Sequence, residues 1–217
     1  MYNPLVVNPS VFTTILLLTA SAIYPVLQKI VIFTPFCQEL KNRIAIVKMR
    51  HFTPFYSNSR KEFYMIRVMF ICHGNICRSP MAEFILKDMV KKKSISDEFE
   101  IASSATSREE IWGGKGNPVY PPAREELAKH GISCEGKRAV QLTKADYDKY
   151  DLLLCMDNTN IRNARRIIGS DPEDKLHLLL DYAGGGSIAD PWYFGNFDRT
   201  YSDIVRGCTG LLRELGF

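Results

Sequence analysis

The sequence predicts an α/β fold, a three-layer sandwich with a central four-stranded parallel sheet. Three observations carry that expectation. Four apolar runs, at residues 67–71, 99–103, 151–156 and 175–179, have the length of strands. Segments with helical spacing stand between them, and strands alternating with helices feed a parallel sheet. The run at 151–156 carries Leu-Leu-Leu-Cys-Met, an uninterrupted apolar core that reads as a buried strand.

The elements follow in order. Strand one, 67–71, runs straight into the segment 72–80. Ser79 followed by Pro80 reads as a helix start, a hydroxyl N-cap with proline at the first helical position. Met81, Phe84, Ile85 and Met89 lie at helical spacing, and Lys91-Lys92-Lys93 suits a solvated C-terminus. Strand two spans 99–103, and a Gly/Pro-rich loop follows from Trp112 to Pro118. A helix over 123–129 stops at His130-Gly131. A short helical turn begins at Thr143, and after strand three a helix over 158–168 ends at Gly169. Strand four is followed by a Gly-rich loop over 181–190 and a long terminal helix over 197–215. In such sheets ligands gather at the C-terminal ends of the strands, and Cys72 falls at the end of strand one.

The domain predicted from these elements is 65–217, with 1–64 as an N-terminal extension. Residues 11–27 form a run of 17 without charge, borderline against the roughly 20 apolar residues of a spanning helix. Pro25 would kink it, and the first lysine is Lys29, so a basic secretory n-region is missing. Two readings follow: a mis-called start with the protein beginning at Met65, or a membrane anchor over 11–33. If it inserts, Lys41, Arg43, Lys48 and Arg50 keep the following chain cytoplasmic.

Of 217 residues, 46% are hydrophobic and 24% charged, an ordinary globular balance. Residues 1–64 carry a net +5 and residues 65–217 a net −1. The basic excess therefore belongs to the extension, and the domain has no basic stripe of the kind nucleic acid requires. The six cysteines show no repeated CxxC pattern and read as reduced thiols of a cytoplasmic protein.

Chemistry concentrates in Cys72-His73-Gly74-Asn75-Ile76-Cys77-Arg78-Ser79-Pro80, a C-x5-R-S segment between a strand and a helix. A dianion such as phosphate needs donors on several sides. A helix N-terminus offers amides and a positive dipole end. Gly74 and Asn75 both tolerate the left-handed backbone of a tight loop, and Arg78 presents a planar two-pronged fork. A thiol at such a place loses its proton more readily than a free one, and the thiolate is the nucleophile. Ser79 can donate to that sulfur and stabilise it as a leaving group. The competing readings are a buried structural cysteine or one ligand of a metal site. Cys72 and His73 are adjacent, which is poor ligand geometry, and no second pair follows at zinc spacing. Expulsion of an alkoxide or phenoxide also needs a proton donor. Asp190-Pro191 follows the Gly-rich loop, and proline restricts Asp190 to extended backbone, although Asp-Pro is also a common plain turn.

From residue 65 to the C-terminus the chain resembles the low-molecular-weight protein tyrosine phosphatases, whose signature is similar to the segment 72–80. The resemblance implies a phosphate-binding loop after strand one, with Cys72 as nucleophile, Arg78 and Ser79 in the catalytic set and Asp190 as general acid and then base. His73, Gly74, Asn75, Ile76 and Cys77 would surround the phosphate, and Trp192 and Tyr193 would stand at the cleft rim. Ser103 would steady the loop through Asn75. Cys77 would pair with the nucleophile under oxidation or serve as a small buried filler. No metal or cofactor is implied. The substrate would be a phosphotyrosine-containing protein or a small aryl phosphate, with no nucleic acid partner.

Two departures stand out. Lys137 occupies the place of a family histidine that buttresses Asn75, and Val140 the place of an arginine, so an altered buttress is expected. The aromatic wall after Ser107 is replaced by Arg108-Glu109-Glu110-Ile111, with Trp112 the candidate substitute. Arsenate reduction, arginine dephosphorylation and non-catalytic phosphate binding are the alternatives on the same scaffold. Ile76, where arginine-specific relatives carry threonine, favours tyrosine.

Overall fold

A computed structural model of the chain describes residues 65–217. Both readings of residues 1–64, late start or anchor, lie outside the described residues.

The first strand, β1 (Ile66–Cys72), sends Val68, Phe70 and Cys72 into one apolar cluster and Met69 and Ile71 into another. Burial on both faces makes it a central strand. The helix α1 (Arg78–Lys92) buries Met81, Ala82, Ile85, Leu86 and Val90. Its buried stripe is therefore rotated from the expected one: Phe84 and Met89 are only partly buried and pack at the cluster's margin. The expected cap also differs, because the N-cap position is Cys77 and no side chain caps the helix. Ser79 is already inside the first turn, and its hydroxyl is committed elsewhere. Lys91 and Lys92 fill the last turn, in solvent as expected.

Strand β2 (Phe99–Ala105) lies parallel to β1, with Val68 opposite Ile101. The loop expected after it contains a small antiparallel hairpin, β3 (Ile111–Trp112) and β4 (Lys115–Gly116). Gly113 and Gly114 turn it with φ of 56° and 76°, the paired positive values a two-residue hairpin needs. The strands are too short to show any periodicity. The helix α2 (Pro121–Lys129) follows and ends at His130. Next comes α3 (Lys144–Lys149), where Asp146 Oδ2 accepts from the Thr143 N–H at 2.7 Å. Strand β5 (Leu152–Cys155) pairs parallel with β1. After it, α4 (Asn158–Ile168) has the bounds the sequence predicts, opened by Asp157 and closed at Gly169. The fourth strand, β6 (Leu176–Leu178), runs into a 3-10 turn over Leu179–Ala183 where loop was expected. A single turn, α5 (Pro191–Phe194), and the long α6 (Phe197–Glu214) complete the fold.

The parallel sheet has the order β2-β1-β5-β6. Helices α1, α2 and α6 contribute Ile85, Leu127 and Leu211 to the cluster on one face, and α3 and α4 contribute Tyr147 and Ala164 to the other. Three layers result, with helices on both faces of the sheet. Each fully buried large side chain contributes about 1.5–3 kcal/mol through the water it leaves. Among the described residues no helix is long and apolar enough to cross a membrane.

Candidate active site

The turn from β1 into α1 wraps around the Cys72 sulfur. Sγ accepts from the Asn75 N–H at 3.3 Å and from the Ser79 hydroxyl at 3.0 Å. Ser79 thus spends its proton on the sulfur instead of capping the helix. The first-turn amides of a helix have no partners within it, so an uncapped α1 leaves donors facing the loop. The left-handed residue is Asn75, with φ of 57°. Gly74 is not left-handed, contrary to the expectation; a Cβ there would come within 3.0 Å of Glu110 Cγ, so glycine answers to crowding. The neighbouring loop pins the turn from outside: the Thr106 and Ser107 amides donate to the carbonyls of Cys72 and His73, each at 2.9 Å.

Asn75 is buried and its amide is fully engaged. Nδ2 donates to Ser79 Oγ at 2.9 Å and to Ser103 Oγ at 2.8 Å, while Oδ1 accepts from the Val140 N–H at 3.0 Å. Val140 acts through its backbone alone, which is why its side chain can be exposed. Ser103 donates to Glu83 Oε2 at 2.6 Å. Lys137 Nζ lies 2.7 Å from the same oxygen and donates to the Ser103 carbonyl at 3.1 Å. The lysine thus reaches Asn75 by way of Glu83 and Ser103.

Arg78 is only 3% exposed and is held by two carboxylates. Nη1 donates to Asp157 Oδ2 at 2.6 Å and to the Ile188 carbonyl at 3.0 Å, and Nη2 donates to Asp190 Oδ2 at 2.6 Å. Burial alone would lower the guanidinium pKa, but the negative charges of Cys72, Asp190 and Asp157 outweigh it and raise the pKa further. Asp190 also accepts from the Trp192 N–H through Oδ1 at 3.2 Å. Asp157 was not singled out in the sequence. Its signal was present: an acidic residue directly after strand three, opening a helix at the ligand end of the sheet.

A cleft of about 190 Å³ opens over these groups. Cys72, Ile76, Cys77 and Arg78 are its buried members, and Gly74 and Asp190 are half-buried within it. His73, Trp192 and Tyr193 stand exposed at its edge. Trp192 packs on Tyr120, with ring centroids 4.8 Å apart. His73 Nε2 lies 2.9 Å from Glu109 Oε2, an exposed pair worth little in stability. Trp112 is 74% exposed and does not line the cleft. Glu109 and Glu110 take the place of the missing aromatic wall. Burial, then the charges of Cys72 and Asp190, push the Cys77 thiol pKa well up, so Cys77 stays protonated beside Cys72. Ser103 sits behind the loop, outside the cleft. Among the described residues no group of three or more His, Cys, Asp or Glu could hold a metal ion.

Residues 67–216 match a family model described as low molecular weight phosphotyrosine protein phosphatase. The low molecular weight protein-tyrosine-phosphatase YfkJ of Bacillus subtilis is 37% identical over 154 residues, covering 70% of this chain and 96% of the relative. The low molecular weight phosphotyrosine protein phosphatase of Gallus gallus is also 37% identical, covering 68% of this chain and 94% of its own. The crystal structure of YfkJ superposes with a TM-score of 0.65 at 36% identity, over 71% of this chain and 96% of that one.

Proposed function

The chain belongs to the low molecular weight phosphotyrosine protein phosphatase family, and from that premise we propose how its cleft carries out the reaction. It is a protein-tyrosine-phosphatase, a hydrolase of phosphoric monoesters, and phosphotyrosine-containing proteins are its substrate class.

The Cys72 sulfur attacks phosphorus as the thiolate, forming an S–P bond while the P–O bond to the tyrosine breaks. Asp190, protonated in the substrate complex once the phosphoryl oxygens replace it at Arg78 Nη2, gives that proton to the departing phenolic oxygen. The phosphocysteine is then attacked by water: Asp190 takes the water proton, an O–P bond forms, the S–P bond breaks, and thiolate and inorganic phosphate result. Ser79, donating to Sγ, stabilises the sulfur when it leaves. Arg78 and the loop amides carry the charge on the transferring group, and no cofactor enters the scheme. Trp192 and Tyr193 give a flat ring surfaces to stack on. The observation that carries the proposal is the sulfur held by two donors on the loop that also carries a buried Arg78, with Asp190 at its Nη2.

Arsenate reduction would need accessible relay thiols, and Cys155 and Cys208 are both 0% exposed. We place residues 65–217 as the catalytic domain, supported by the family match over 67–216. We place it in the cytoplasm, in keeping with five described cysteines that are all free.

Rapid-quench sampling of the full chain during turnover of an aryl phosphate tests the mechanism. Wild type should yield a covalent phosphoenzyme, and Cys72→Ser should yield neither phosphoenzyme nor turnover. Turnover persisting in Cys72→Ser would end the proposal.

A further inference from the structure

Two elements of different character build the rim of the cleft. On α5, Trp192 and Tyr193 present exposed aromatic rings. On the loop between β2 and β3, Glu109 and Glu110 present carboxylates where an aromatic wall was expected. The rings suit the phenol of the substrate. A carboxylate does nothing for that ring and repels a phosphate dianion, so its place at the rim calls for a cation elsewhere on the substrate.

Glu110 is fixed in place. Its Oε2 accepts from Asn117 Nδ2 at 2.7 Å, and its carbonyl accepts from the Asn117 N–H at 2.8 Å. Its Cγ packs over Gly74. Asn117 is a neutral partner, so the charge stays unbalanced. That charge reaches into the cleft: after burial and the charges of Cys72 and Asp190, it too raises the Cys77 thiol pKa. Glu109 is the more open of the two, with a side chain 72% exposed and Oε2 2.9 Å from His73 Nε2. An exposed pair of this kind contributes little, so a cation arriving with the substrate can take Glu109 at small cost. The cleft's own cation is already matched, since Arg78 is held by Asp157 and Asp190. Among the described residues, the neighbouring cations Arg108 and Lys115 neither line the cleft nor pair with either glutamate.

We propose that Glu109 and Glu110 read the sequence around the phosphotyrosine: the cleft takes phosphotyrosine flanked by lysine or arginine and turns away phosphotyrosine flanked by aspartate or glutamate. This rests on the phosphatase reading and deepens it by naming the class of peptide. The phosphoryl group and ring enter toward Cys72, and the residues on either side of the tyrosine stay at the rim, where a basic side chain meets a carboxylate. Repulsion of acidic flanks contributes beside attraction of basic ones. A contact pair in water is worth about fivefold in affinity, and salt screens an exposed pair below that.

The test uses the full chain and two phosphotyrosine peptides of equal length, one with lysines and one with glutamates on both sides of the tyrosine. The ratio of their kcat/KM values is read within each variant, so a general loss of activity cancels. At about 50 mM salt, wild type should favour the lysine-flanked peptide at least about tenfold. The difference should lie in KM, because the flanks bind alike in ground and transition states. It should shrink severalfold at about 0.5 M salt. Glu109→Gln/Glu110→Gln should bring the ratio close to one. Glu109→Gln alone, at an exposed position, should lower it at least about threefold, and this decides if the double variant does not fold. Equal kcat/KM for the two peptides in wild type, a ratio indifferent to salt, or a ratio unchanged in Glu109→Gln would each overturn the proposal. Absence of Cys72-dependent turnover of both peptides and of an aryl phosphate would instead end the phosphatase reading itself.

Discussion

Asp157 divides its carboxylate between two tasks: Oδ1 accepts from the Asn160 N–H at 2.7 Å and caps α4, while Oδ2 lies 2.6 Å from Arg78 Nη1. The helix behind β5 thereby aims the guanidinium of the loop after β1. A residue 79 positions along the chain sets the angle of the Arg78 guanidinium.

The two tasks can be separated. Asn is as good a helix cap as Asp, so Asp157→Asn keeps α4 intact while removing the charge on Arg78. A stability loss of about 1–3 kcal/mol is expected from the lost charge-assisted bond. kcat/KM on an aryl phosphate should fall roughly tenfold, equivalent to about 1.4 kcal/mol of transition-state stabilisation. Urea melts and steady-state kinetics measure the two effects. Unchanged kcat/KM would show that Asp157 does not aim Arg78.

Asp190 should matter in proportion to the basicity of the leaving group. In Asp190→Ala, turnover of a nitrophenyl phosphate should fall modestly, and that of phosphotyrosine by about 10²- to 10⁴-fold, the usual reach of general acid catalysis. A plot of log kcat against leaving-group pKa should be steeper for the variant than for wild type. Parallel plots would remove Asp190 from the acid role.

Glu83 should give the fold an acid-sensitive step. Its pKa in the folded protein lies below the ordinary 4.5. The stabilisation from this shift is therefore fully present above about pH 4.5 and is lost as pH falls through the lower, folded value. Tm measured from about pH 5 down to about pH 3 should drop more steeply in wild type than in Glu83→Gln. Superimposable slopes would show that the Lys137–Glu83 pair contributes nothing through ionisation.

Gly116, in strand β4, faces the backbone that carries Val140. A Cβ there would stand 1.8 Å from the Ala139 carbonyl oxygen, so Gly116→Ala must push that segment away. About 1–3 kcal/mol of stability should be lost, as for other overpacked sites. Because the Val140 amide holds Asn75, kcat should fall too. A variant that loses stability but keeps kcat at a temperature where it is folded would uncouple the hairpin from the loop.

The strand-helix alternation was legible because each element carries its own period. Residues 158–168 even show their end at Gly169, where only a left-handed residue closes the turn. Other features were not legible, the hairpin and the start of α1 among them. The hairpin at 111–116 is too short for alternation to register, and the start of α1 was misplaced because Ser79 looks like a cap by type. Only the position of the sulfur shows where its hydroxyl goes. The segment 72–79 announced its chemistry because all its parts are local: a thiol, a tight turn, a helix start and an arginine within one loop. Glu83, Lys137 and Asp157 gave weaker signals, since a lone charged residue in a sequence does not reveal its partner.

The order of residues thus determined the α/β class and the loop that holds Cys72, because both are written in neighbours a few positions apart. What surrounds that loop was decided only by the sheet. Parallel strands bring their C-terminal ends to one edge, so Asp157 and Asp190 arrive at Arg78 from 79 and 112 positions away. Lys137 likewise reaches Glu83 through a segment that bridges to the end of β2 at Ala105. Those partners are chosen by burial: a guanidinium and a carboxylate removed from water must find opposite charge within reach, and only the folded chain says which.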